Sequence, residues 1–115
     1  MITRFEFEQA AETLRQNLFL GLPKMIEYKK SIQVRVLDVA TPDEMFDVAA
    51  CRINQQMIDK LVRLAHEMWV SDGNAVSLYC ASMAVATIIK EYNWGRYYLT
   101  PDGLFEIATR IQDIK

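Results

Sequence analysis

The segment that most constrains the fold of this 115-residue chain is residues 75–89, which contain no charged side chain. Their hydroxyl-bearing side chains, apart from a tyrosine, are Ser77, Ser82 and Thr87. Serine and threonine can bond to carbonyl groups of their own helix, so they need no outside partner. A helix that is apolar all round must be covered on every side, and this one is shorter than the ~20 residues that cross a bilayer. We predict a buried central helix over about residues 74–92 and no membrane span.

The length and charge of the chain limit its class. A chain of 115 residues, half of them apolar, is the length of one folded domain. Its formal net charge is −2, from 13 basic and 15 acidic residues, whereas a dedicated nucleic-acid-binding protein usually has a clear basic excess. Binding to nucleic acid is therefore disfavoured. Residues 1–6 contain no apolar signal region, and we predict a single helical domain, residues 1–115, in the cytoplasm.

Capping residues predict where several helices begin. Thr3 followed by Glu6 fits a capping box, and we expect the helix that it opens to end at Gly21. Asn74 is suited to cap the central helix. Thr41 and Thr100, which each precede a proline, are suited to open a helix at residue 42 and the last helix.

Residues 42–70 have apolar side chains at steps of three and four, which predicts an amphipathic helix. Unbroken, it would be ~42 Å long, whereas a domain of this size has a radius of gyration of only ~13 Å. Either the helix breaks near residues 52–55, with Asn54 capping a second segment, or it projects and packs on another chain. The second alternative predicts a homodimer through the helix around 56–69, which would bury Met57, Leu61, Leu64 and Met68.

Residues 31–39 carry the one good strand signal, because β-branched side chains such as Ile32 and Val34 alternate with polar ones. A lone strand leaves backbone groups unpaired and needs a partner. We therefore predict a short β pair between about residues 32–37 and 96–99. The predicted fold class is mainly α, with four to five helices in orthogonal or bundle-like packing around the central helix and at most one short β pair.

Signatures of catalysis or metal binding are lacking in the sequence. His66 is the one histidine, and it lies at the border of the apolar face of the predicted helix over residues 42–70. This position favours a role in packing over a role in catalysis. Cys51 and Cys80 form no metal or CxxC pattern; we expect buried free thiols, with a disulfide as the alternative. We predict no catalytic residue, no cofactor and no metal site. A small enzyme with a Cys/His site is the second alternative function.

Two groups of side chains are candidates for binding a partner. The first group, which we call the aromatic connector, consists of Tyr92, Trp94, Arg96, Tyr97 and Tyr98. The second, which we call the basic cluster, consists of Lys24, Lys29, Lys30 and Arg35. Tyrosine, tryptophan and arginine are enriched at binding hot spots, although the rings would also cap the core and the basic residues would also form a solvated face. We predict a non-enzymatic interaction or regulatory protein, of the adaptor or inhibitor type, that binds another protein.

Residues 96–104, RYYLTPDGL, resemble the end of many winged-helix regulators, where a wing strand runs into a Leu-Thr-Pro-x-Gly step and a final helix. The resemblance covers nine residues and implies a DNA-binding transcriptional regulator whose recognition helix enters the major groove. The segment at the position of that helix, residues 82–91, has no arginine, asparagine or glutamine to read bases. DNA binding is therefore the alternative function.

Overall fold

Polar side chains set the start of five helices. In the computed structural model, which describes residues 1–92 and 95–114, each of these capping side chains accepts a hydrogen bond from the backbone N–H three residues later. The capping residues are Thr3, Thr41, Asn54, Asn74 and Thr100. Each bond satisfies one of the N–H groups that a helix start leaves without a partner. The predicted caps are therefore confirmed.

The described residues form six α-helices and one short 3-10 helix, and none of them is in a strand. The elements are α1 (Arg4–Gln16), α2 (Leu18–Val39), α3 (Pro42–Ala49), α4 (Gln55–Trp69), α5 (Ala75–Glu91), the 3-10 helix Tyr97–Leu99 and α6 (Pro101–Asp113). The prediction of a mainly helical chain is confirmed. The described residues form six α-helices and not the predicted four to five, because residues 18–39 form one further helix and the predicted helix over residues 42–70 divides in two. Among the described helices, none is long and apolar enough to cross a membrane.

Helix α5 contacts α1, α2, α4 and α6. Its side chains form the middle of the core, and Leu78, Val85 and Ile89 are fully buried. Its polar groups bond within the helix: Ser82 Oγ donates to the Leu78 carbonyl at 2.8 Å, and Thr87 Oγ1 donates to the Met83 carbonyl at 2.7 Å. The uncharged part of this helix, residues 75–89, can therefore be buried without leaving these hydroxyl groups unsatisfied.

The predicted strand over residues 31–39 is wrong, because this segment forms the second half of α2. Tyr28, Ile32 and Val36 are buried at steps of four residues along that helix. Side chains that alternate with a period of two also recur every four residues, and residues four apart lie on the same face of a helix. Ile32 and Val36 can therefore share one buried helical face. Packing of α2 against α4 and α5 therefore overrides the local preference for a strand.

The predicted β pair is also wrong at its other end, where local hydrogen bonds form instead. Tyr97–Leu99, the proposed partner segment, forms the 3-10 helix. The N–H of Leu99 donates to the Arg96 carbonyl at 3.0 Å, and the N–H of Thr100 donates to the Tyr97 carbonyl at 3.0 Å. These local bonds take up backbone groups that a strand partner would have used.

Helix α1 is shorter than predicted, because it ends at Gln16 rather than at Gly21. A single residue, Asn17, joins it to α2, and Gly21 lies inside α2. A β-carbon on Gly21 would lie 2.3 Å from Leu14 Cδ2. The glycine therefore permits the close approach of α1 and α2 instead of ending a helix.

The break in the predicted helix over residues 42–70 is confirmed, since α3 and α4 are separate helices. Cys51 lies in the connection with φ 56°, a left-handed conformation that is unusual for a residue other than glycine, and Asn54 caps α4. The prediction of a buried free thiol is wrong for Cys51, which is exposed, and is confirmed for Cys80. Cys51 is exposed because it lies in a connection between helices, and not in a helix as predicted.

The residues predicted to form a homodimer belong to the core of the chain itself. Met57, Leu61 and Leu64 are buried, and Met68 packs partly buried against them. Helix α4 contacts α2, α5 and α6, which cover this face. The predicted homodimer through residues 56–69 therefore lacks the exposed apolar face on which that prediction depended.

Candidate apolar binding groove

Helix α2 carries large apolar side chains that the core does not cover. Leu18, Phe19, Leu22 and Ile26 form what we call the apolar stripe, and their exposed fractions are 65%, 92%, 50% and 41%. Successive positions at steps of three and four residues lie on one flank of a helix. The stripe therefore forms one continuous apolar surface beside the buried face of α2.

A cavity of about 240 Å³ lies beside the stripe, between α1, α2 and α5. It is open to solvent, and the side chains that line it are mainly apolar. They include Leu14 and Arg15 from α1, Leu22 and Met25 from α2, and Tyr79 and Met83 from α5. We call this cavity and its walls the groove. Leu18 and Leu22 belong to both the stripe and the groove, so the two form one site.

The short link between α1 and α2 shapes the groove. Asn17 adopts φ −141° and ψ 83°, which turns the chain at once from α1 into α2. Gly21, which lies against Leu14 of α1, also lines the groove. The Cys80 thiol donates a hydrogen bond to the Gly21 carbonyl at 3.6 Å at the base. Burial raises the pKa of Cys80, so this residue is a protonated structural thiol at neutral pH and not a nucleophile.

One ion pair lies at the edge of the groove and a second lies nearby on α2. Arg15, which lines the groove, has its Nη1 2.7 Å from Glu12 Oε2 within α1. Lys29, one helical turn beyond Met25 on α2, pairs with Glu91 at the end of α5. Both of these positive charges therefore have a negative partner, and the cavity walls are mainly apolar.

The basic cluster of α2 binds other parts of the same chain. Lys24 Nζ lies 2.7 Å from Asp72 Oδ2, and Lys29 and Arg35 pair with Glu91 and Glu67. Lys30 is exposed. The three pairs join α2 to α4, to α5 and to the turn between them, so the structure does not bring these cations together as one patch that faces a phosphate. Exposed pairs of this kind contribute ~0–1 kcal/mol each.

Tyr28 completes the contact at the turn between α4 and α5. Its hydroxyl donates to Asp72 Oδ2 at 2.8 Å. The neighbouring ammonium of Lys24 and this hydroxyl together lower the pKa of the Asp72 carboxyl. Burial, followed by the bond to Asp72, raises the pKa of Tyr28. The arrangement anchors α2 and offers no proton for chemistry near pH 7.

The aromatic connector is partly buried. Tyr97 is exposed and Tyr98 is half-buried, and their rings meet edge to face with centroids 5.3 Å apart. Tyr92 is half-buried and Arg96 is exposed; Trp94 lies outside the described residues. Tyr92 and Tyr98 pack against the core. The structure thus brings Tyr97 and Tyr98 together and leaves Tyr97 as the most accessible described ring of the connector.

His66 packs α4 against α6. Its Nδ1 lies 2.7 Å from the Ile111 carbonyl oxygen. A carbonyl oxygen can only accept a hydrogen bond, so Nδ1 carries the proton. No group of three or more histidine, cysteine, aspartate and glutamate side chains that could hold a metal ion occurs in residues 1–92 and 95–114.

The structure does not support the DNA-binding interpretation of the resemblance to winged-helix regulators. Residues 82–91 would supply the recognition helix, but Ser82, Val85 and Ile89 are fully buried. A helix in this position cannot enter a major groove while the core stays intact. The segment that would form the end of a wing is the 3-10 helix and not a strand.

Sequence reasoning missed the groove. The available signal was the run Leu18-Phe19-Leu20, followed by Leu22, which places four large apolar side chains in five positions. They point in too many directions for one buried helix face to cover them. Comparison of the chain with protein-family models, curated proteins and solved structures finds no match.

Proposed function

We propose that this chain is a non-enzymatic interaction protein, of the adaptor or inhibitor type, that binds a macromolecular partner through the groove and the apolar stripe. One observation carries the proposal. Phe19 is 92% exposed on the flank of α2 that borders a mostly apolar cavity of about 240 Å³. A large ring in water beside an open cavity is the arrangement in which a partner would find both an anchor and a pocket.

The size of the exposed surface is consistent with a binding site. The four side chains of the stripe expose on the order of 500 Å² of apolar area, at the upper end of the ~300–600 Å² that the largest patch of a monomer usually reaches. At about 25 cal/mol per Å², burying the stripe would contribute ~12 kcal/mol. Association costs about 4–15 kcal/mol before any binding is seen. A stable complex would therefore need the groove walls as well as the stripe.

Photocrosslinking inside the native cell tests this proposal. A photoreactive phenylalanine analogue replaces Leu22 in the groove or, as the control, Val34, which is exposed on the same helix about two helical turns beyond the stripe. We expect a covalent adduct from position 22 and none from position 34. Phe19→Asp in the chain with the probe at position 22 should abolish the adduct. Equal adducts from both positions, or none from position 22, would contradict the proposal.

The same experiment tests whether the aromatic connector belongs to this binding surface. Tyr97→Ala removes its most accessible described ring without opening the core, since Tyr97 is 55% exposed. A lower adduct yield from position 22 would add the connector to the surface. An unchanged yield would limit the surface to the groove and the stripe.

A further inference from the structure

We propose that the partner in the groove is a second copy of this chain, with Phe19 of each copy inserted into the groove of the other. This inference depends on the function proposed above, because it names the occupant of the same site. The site itself provides both halves of the contact: an exposed ring and a cavity that would receive one.

The ring and the cavity lie on the same flank of α2. Phe19 lies beside the groove, because side chains three residues apart are neighbours on a helix and Leu22 lines the groove. In a two-fold symmetric dimer the same patch contacts itself, so a projection on one copy meets a recess on the other. A surface that holds a projection and a recess side by side is complementary to its own copy.

The cavity is large enough for a phenylalanine ring. Its volume is about 240 Å³, whereas an apolar cavity of roughly 150 Å³ holds benzene. Its walls include Leu14, Met25 and Met83. Thioether side chains such as methionine adapt to irregular spaces and contact aromatic rings favourably. The ring therefore fits with room for the groove walls to close around it.

The charge of the rim permits contact between identical surfaces. A two-fold interface brings like groups near each other, and like charges facing one another across an interface are costly. Here Arg15 pairs with Glu12, and Lys29 pairs with Glu91, within each copy. These two positive charges, at the groove and one turn beyond it, are therefore neutralised within each copy. An anionic membrane, by contrast, would require uncompensated positive charge around the stripe.

The area approaches what a specific dimer needs. Standard interfaces bury about 800 Å² per partner. The stripe offers on the order of 500 Å² of this, and the groove walls from α1 and α5 add to it. The interface would be small to average in size, so we expect dissociation in the micromolar range.

Sedimentation equilibrium of the full chain at ~1–100 µM tests the proposal. We expect an average mass that rises with concentration toward twice the 13.3 kDa of one chain. Phe19→Ala should raise the dissociation constant about 30-fold, as expected for an aromatic hot spot. The matched control Val34→Ala, also exposed on α2, should leave it unchanged. A monomer at every concentration, or equal effects of the two substitutions, would overturn the proposal.

Disulfide crosslinking between two different variants tests the register of the contact. Both chains carry Cys51→Ser and Cys80→Ala, so that no native thiol takes part. One chain adds Phe19→Cys and the other Met83→Cys. Mild oxidation of the mixture should give a covalent heterodimer, whereas a mixture of Val34→Cys and Met83→Cys chains should not. A wild-type dimer without the 19–83 crosslink would show that another face forms it and would overturn the proposal.

The proposed interaction function and the proposed self-association can fail separately. If the purified chain is a monomer and the photoreactive group at position 22 captures a different protein, self-association is wrong and the interaction function stands. If position 22 captures nothing and the chain is a monomer, both are wrong. If the adduct at position 22 has the mass of two copies and sedimentation shows a dimer, both are supported.

Discussion

Replacing Gly103 by alanine tests how tightly the start of α6 packs against the 3-10 helix. Gly103 is buried, and its backbone N–H donates to Thr100 Oγ1 at 3.1 Å. A β-carbon at this position would lie 2.0 Å from the Tyr97 carbonyl oxygen and 2.6 Å from the Tyr98 α-carbon. Both are backbone atoms, so the clash is relieved only if the 3-10 helix moves away from α6.

Gly103→Ala changes the free energy of unfolding through two effects of opposite sign. Alanine is preferred over glycine inside a helix by about 1 kcal/mol, so helix propensity alone predicts a more stable protein. Overpacking a filled site costs about 1–3 kcal/mol and occasionally more. The contact at Gly103 is a full ångström shorter than the 3.0 Å that real β-carbons keep from other atoms. We expect the clash to dominate and the free energy of unfolding to fall by about 2 kcal/mol.

Gly21→Ala is the matched control, because it makes the same change inside another helix. Its β-carbon would lie 2.3 Å from Leu14 Cδ2, which is the end of a flexible side chain and not backbone. Leu14 lines the groove and can rotate into that open space. The clash therefore costs little, and we expect a free energy of unfolding that is unchanged or higher by up to about 1 kcal/mol.

Urea unfolding followed by circular dichroism measures the free energy of unfolding of both variants, and thermal unfolding measures their melting temperatures. A loss of 2 kcal/mol should lower the melting temperature of Gly103→Ala by about 8–10 °C. If Gly103→Ala were as stable as the parent chain, or if Gly21→Ala lost as much stability as Gly103→Ala, the backbone clash at Gly103 would not be what decides stability.

Two further predictions concern single titratable or reactive groups. With an aromatic disulfide reagent at pH 8, we expect Cys51 to react within minutes and Cys80, buried and with a raised pKa, to react only on unfolding; two rapidly reacting thiols would contradict this. Glu44 pairs with Lys60, which lowers the pKa of its carboxyl. A lowered pKa in the folded state stabilises the fold above the unfolded value near 4.5, and this stabilisation is lost as the pH falls through the folded value. Lys60→Met should therefore move acid unfolding to higher pH, whereas Lys90→Met at an exposed position should not.

The sequence predicts the helix starts well because capping is local. The Thr41 side chain accepts from the N–H of Glu44, and the Glu44 carboxylate accepts from the N–H of Thr41, all within four residues. At the start of α5, the Asn74 side chain likewise accepts from the N–H of Ser77, three residues later. The central helix is equally predictable, since a long segment without charge must be buried.

Tertiary packing decides the features that the sequence did not reveal. Ile32 and Val36 have a strand-like pattern and lie in a helix because α4 and α5 bury that face. The groove depends on the turn at Asn17 and on the approach of Leu14 to Gly21, which no local pattern indicates. Of the residues predicted to bind a partner, Lys24 pairs with Asp72 in the turn between α4 and α5, and Lys29 pairs with Glu91 in α5. Sequence spacing cannot show such distant pairs.

The position of α5 in the chain has a consequence for folding during synthesis. The helices α1, α2 and α4 all contact α5, and about 60 residues separate the end of α1 from its start. At about 5–20 residues per second, the ribosome takes ~3–12 s to produce them. During that interval α1, and then α2 and α4 as each is made, lack the helix that will cover their apolar faces. We therefore expect the nascent chain to stay unfolded until α5 has emerged, and the amide protons of α1, α2, α4 and α5 then to become protected together.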